Sequence, residues 1–188
     1  MESRVKLAGH SVHQMLIVFP LGLFVTAVVF DVISLVTDAP RWTEMAYYMI
    51  GAGLIGGLAA AVPGWLDWWA IPRATRAKRV GLLHGAGNVI VLTLFALSWV
   101  LRRPNPSVPP TEAVVAGLVG LVLGTATAWL GGELVDRLGV GVDEGAHLDA
   151  SNSLTGLPAA VRARATGDRR THPQPYAGAE RRFSSERR

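Results

Sequence analysis

Apolar residues in this chain fall into four blocks, each close to 20 residues long and nearly free of charge. A helix rises 1.5 Å per residue, so about 20 apolar residues cross the roughly 30 Å hydrocarbon core of a bilayer. The blocks predict four membrane spans, over about residues 13–36, 45–65, 80–101 and 113–134. The first contains Pro20, which predicts a kink that a bundle tolerates, and Asp31 near its far end. The second is rich in small residues. Gly53 and Gly57 form a pair that lets a neighbouring helix approach closely, and Pro63-Gly64 is expected to loosen the helix end. Gly120 and Gly124 make a similar pair in the fourth.

The flanks read differently. Residues 1–12 are polar and carry Arg4 and Lys6, like the opening of a signal peptide. The apolar run that follows is too long for an h-region and no small-x-small cleavage motif comes after it, so it reads as a retained span. From Gly139 onward the chain is rich in Gly, Pro, Ser, Asp and Arg. Such a segment buries too little surface to offset its ordering entropy. The expected organisation is therefore an all-α, four-helix transmembrane bundle over residues 1–138. Residues 139–188 are expected to form a mostly disordered basic tail, with a short helix near Pro158–Ala165.

Composition agrees. Half of the residues are hydrophobic and 17% are charged, whereas soluble domains carry about a quarter. There is no cysteine, which excludes disulfides, thiolate metal sites, Fe–S ligation by this chain and a cysteine nucleophile. The basic residues lie in loops and tail, as in membrane proteins generally, and make no case for nucleic acid. They also predict orientation. Arg4 and Lys6, the connector Arg73, Arg76, Lys78 and Arg79, and the arginines of the tail share one side. The other side has Arg41, Arg102 and Arg103. The positive-inside rule puts both termini in the cytoplasm, where the tail would lie beside anionic lipid headgroups.

With that orientation, ionisable groups gather at one end. His10 and His13 open span one, Asp67 closes span two, His84 opens span three and Glu133 closes span four. Such groups are costly in a membrane and mark function. His10 and His13 share a face if the helix extends back that far. Imidazoles with carboxylates suit a zinc, iron, copper or manganese ion. One histidine from each of two facing helices suits haem b, and the glycines around His84 (Gly81, Gly85, Gly87) would leave room for a flat macrocycle. Plainer readings stand beside these. Asp67 can solvate a helix end, and Glu133 can pair with Arg137 one turn on. Asn88 suits an interhelical hydrogen bond, and the six tryptophans suit interfacial anchors.

Four motifs in order, GHSVHQMLIVFPLGLF, PGWLDWWAIPRATRAKR, LLHGAGN and AWLGGELVDRLGVGV, resemble a bacterial membrane family, domain-of-unknown-function family 2231, over about residues 8–142. Ser11 and Gln14 stand where that family usually has prolines. The resemblance implies four spans and a bacterial inner membrane. It matches His10, His13, Asp67, His84 and Glu133, and its neighbouring Rieske-type domains imply a redox setting.

Together these readings lead to a cytoplasmic-side site for haem b or a transition metal, used in membrane electron transfer. His13 and His84 are the primary ligands, and His10, Asp67 and Glu133 further ligands or orienting groups. Lipid, a redox partner protein and a second copy of the chain are the expected partners. The alternative is a non-catalytic membrane subunit or anchor that recruits a partner through its tail. A transporter is disfavoured, because no inverted repeat and no midplane charge are evident.

Overall fold

The computed structural model of the protein describes residues 1–161. A short hairpin, β1 (Lys6–Leu7) and β2 (His10–Ser11), leads into α1 (Val12–Leu16) and α2 (Val18–Thr37). Then follow α3 (Arg41–Ala70), α4 (Arg76–Arg102) and α5 (Thr111–Gly132). α1 and α2 together make the first of four spans, and α3, α4 and α5 the others. Around the ring α2 packs on α3, α3 on α4, α4 on α5 and α5 back on α2. The expected all-α transmembrane bundle is the fold.

The boundaries differ from the hydropathy blocks, for local reasons. Span one breaks at Ile17 rather than bending at Pro20. Proline lacks the amide that would bond four residues back, to Leu16, where α1 ends. α3 is longer than expected at both ends, beginning directly after Pro40 and running past buried Pro63 to Ala70. Packing against its neighbours holds it through the proline, so Pro63-Gly64 does not end it. α4 begins earlier, at Arg76, because the Thr75 hydroxyl caps it by accepting from the Lys78 amide at 3.1 Å. α5 passes into a π-helical turn, Glu133–Arg137.

α2 and α4 stand at opposite corners of the ring. Three pairs join the first span to α4 across the centre. His13 faces His84, with ring centroids 6.4 Å apart. Phe24 stacks on Phe95 at 3.9 Å. Asp31 holds Arg102. The members of every pair are 71 residues apart. The other two helices repeat the pattern. Gly53 lies against Phe24 as Gly120 lies against Phe95. The Ala60 carbonyl meets His13 as the Thr127 carbonyl meets His84. Gly64 leaves room for the His13 ring as Gly131 does for the His84 ring. The bundle is thus two similar helical hairpins related by a pseudo-two-fold axis along its length. This is a parallel repeat, distinct from the inverted kind sought in transporters.

The core follows from this. Phe24, Ala27, Val28, Ala46, Ile50, Val91 and Phe95 are buried together, and Gly53 admits the Phe24 ring. A Cβ at Gly53 would sit 2.6 Å from that ring, which is backed by Phe95 and cannot retreat. Gly53→Ala is expected to cost about 1–3 kcal/mol, read as a lower unfolding midpoint in detergent. Gly85→Ala, where nothing lies within 4 Å, should leave the midpoint nearly unchanged. Equal effects at the two sites would refute this packing account.

The first residues after Gly139 are tied to the N-terminal segment. The Gly141 amide donates to the Met1 carbonyl at 2.9 Å, and Lys6 binds Glu2 and Asp143. The hydrogen bonds and charges of Asp143 and Glu2 hold the Lys6 ammonium above its usual pKa. Pro158–Val161 form a turn rather than the start of a helix. The remainder of the expected tail, 162–188, lies outside the described residues.

Candidate functional site

α1, the latter part of α3, the start of α4 and the end of α5 meet at one end of the bundle, as the hydropathy pattern required. The five ionisable residues expected there do not converge on one point. His10 stands exposed in β2, because the helix starts only at Val12 and does not carry it onto the His13 face. Asp67 is buried. It accepts from the Ser3 hydroxyl at 2.7 and 2.9 Å and from the Arg4 amide at 2.6 Å, so it ties the N-terminal segment down onto α3. Glu133 accepts from Arg76 across the α4–α5 junction at 2.6 Å, rather than from Arg137. The π-helical turn changes the spacing on which an i,i+4 pair with Arg137 depends. Among the described residues no three histidine or carboxylate side chains are grouped to hold a metal ion.

His13 and His84 do meet, and each is oriented the same way. His13 Nδ1 lies 2.8 Å from the Ala60 carbonyl oxygen, and His84 Nδ1 lies 2.9 Å from that of Thr127. A carbonyl only accepts, so each Nδ1 carries the proton and donates it. Both rings are thereby held as the tautomer whose lone pair is on Nε2. Gly64 and Gly131 make this fit. A Cβ at Gly64 would lie 2.7 Å from the His13 ring, and one at Gly131 would lie 3.1 Å from the His84 ring.

The two halves differ in one respect. Asn88 Nδ2 lies 3.2 Å from His84 Nε2 and donates to the His84 carbonyl at 2.9 Å. The Thr127 hydroxyl donates to Asn88 Oδ1 at 3.0 Å. Asn88 is the interhelical partner expected of it. The symmetry-related position in the first half is Ile17, which offers no amide. The glycines around His84 do not open a slot: a Cβ at Gly81 would meet Trp68 and one at Gly87 would meet Thr127, and only Gly85 of the three faces open space.

Sequence reasoning missed the polar cluster at the opposite end. Arg102, read as a loop residue, is completely buried and makes a bidentate pair with Asp31 at 2.8 and 2.6 Å. Its Nε donates to Ser98 Oγ at 3.2 Å, and Ser98 donates to the Ala113 carbonyl at 2.6 Å. The 71-residue register, once seen in the His and Phe pairs, would have pointed to Asp31 and Arg102 as partners.

Residues 9–144 match the model of a family described as predicted membrane protein (DUF2231). No curated protein matches the chain. No solved structure matches it either.

Proposed function

We infer that this chain, which belongs to the DUF2231 family of predicted membrane proteins, holds one transition-metal centre between His13 and His84 and serves membrane electron transfer. The observation that carries this reading is the facing pair of imidazoles, one from each half of the bundle, with both Nδ1 atoms engaged by backbone carbonyls. Metal–nitrogen bonds of about 2.0–2.1 Å put two nitrogens on one metal roughly 3–4 Å apart, and rings centred 6.4 Å apart are close enough to share one. Asp67 and Glu133 are committed to Ser3, Arg4 and Arg76, so the donor set is two imidazoles. Two histidines are the donors that haem b would need, although the glycines flanking His84 open no slot for its macrocycle. A bare zinc, iron, copper or manganese ion would need further ligands.

Iron, copper or manganese would supply the one-electron change; zinc, which has no redox chemistry, would not. This chain's own residues would do the rest. The Ala60 and Thr127 carbonyls would fix the rings. Arg4, Lys6 and the basic α3–α4 connector argue that this end faces the cytoplasm.

A second reading has its own support. His84 already has Thr127 and Asn88 as partners, which is how a polar layer in a non-catalytic subunit would look. Single substitutions separate the two. On the first reading, His13→Ala and His84→Ala each abolish loading of the purified protein with haem or metal, with little change in the amount folded. On the second, each lowers stability and neither changes loading.

A further inference from the structure

The basic connector between α3 and α4 sorts its four cations into two groups. Arg76 is spent on Glu133 at 2.6 Å. Lys78 donates to the Trp68 and Trp69 carbonyls at 2.7 and 3.3 Å, and its ammonium lies 3.9 Å from the centre of the Trp68 ring. These two residues close the end of α3 and the junction with α5. Arg73 and Arg79 are exposed and have no carboxylate partner among the described residues. The chain has no acidic residue between Asp67 and Glu112 that could supply one locally.

Depth comes from the tryptophans. Trp65 and Trp69, one to two turns before Arg73, are 61% and 67% exposed on the outside of the bundle. Indole rings in that setting lie at the level of the lipid headgroups, which puts the two arginines at the phosphates. The turn that carries Arg73 is fixed. Ala74 has a φ of 62°, and the Thr75 hydroxyl donates to the Pro72 carbonyl at 2.8 Å.

We propose that Arg73 and Arg79, at the same end of the bundle as Trp65 and Trp69, form a binding surface for the phosphates of anionic phospholipids. Guanidinium groups pair with phosphate oxygens through two parallel hydrogen bonds. The surface is independent of the histidine pair.

The test uses the full-length protein in vesicles of phosphatidylcholine containing brominated phosphatidylglycerol, or brominated phosphatidylcholine as the reference. With Trp42, Trp99 and Trp129 replaced by Phe in every protein compared, tryptophan quenching reports which lipid occupies the surface. The wild type should prefer phosphatidylglycerol, and the preference should fall as salt is raised. Removing each arginine should cost about fivefold, so Arg73→Gln/Arg79→Gln should abolish most of the preference. Arg76→Gln, which alters only a paired cation, should keep it. Wild type without a preference, or a double variant that retains it, overturns the proposal. Competition by millimolar inorganic phosphate also overturns it, because the surface would then take the free ion. If the double variant does not fold, Arg79→Gln alone and the salt series on the wild type take its place: a preference unmoved by both overturns the proposal, and a preference lowered by both upholds it.

Discussion

Replacing Arg102 with alanine is expected to destabilise the bundle by about 3–5 kcal/mol, the largest single effect on stability foreseen for this protein. The guanidinium is fully buried and bonded by both terminal nitrogens to Asp31. Its loss leaves a carboxylate with neither solvent nor partner, and it also removes the Ser98 contact that links α4 to α5. The pair itself contributes less than its rupture costs, because two charges had to be desolvated to make it. Asp31→Leu/Arg102→Met should therefore recover most of the lost stability. Unfolding midpoints in one detergent would read all three proteins. A single variant within about 0.5 kcal/mol of wild type would contradict the account.

Phe95→Ala comes next, at about 3 kcal/mol. Phe95 is 1% exposed, stacks on Phe24 and lies against Gly120. In water the loss would be about 3–5 kcal/mol, part of it transfer free energy. Lipid chains are as apolar as the core, so that part shrinks and the lost packing contacts remain. The cavity would fall on the pseudo-two-fold axis, where both halves meet. Val100→Ala, on the lipid-facing surface at 52% exposure, should change little. If the two substitutions cost the same, burial between helices is not what holds the halves together.

The sequence made the spans legible because one solvent, the bilayer, sets both their length and their composition. Helix ends were less legible. Arg41, Trp42, Trp68 and Arg76 are polar or amphipathic, so hydropathy counts them as loop although all are helical. The histidine pair could be anticipated because both residues open spans on one side. Where the carboxylates would turn could not. Asp67 is claimed by Ser3, and Glu133 by Arg76, and neither partner lies nearby in sequence. Asp31 and Arg102 looked unrelated for the same reason. The repeat escaped notice because the halves share geometry more than residues: Ala60 answers to Thr127 and Ile17 to Asn88, and only a few positions such as His13 and His84, or Phe24 and Phe95, are identical.

The symmetry also sharpens the functional reading. A ligand on the axis meets one imidazole from each half, so neither hairpin alone could hold it. The most direct test is elemental analysis of the full-length protein, purified in mild detergent from metal-replete native membranes, together with its absorption spectrum. About one equivalent of transition metal per chain is expected, with a Soret band if the centre is haem, and loss of both in His13→Ala. Folded wild-type protein free of metal and haem would contradict the functional reading.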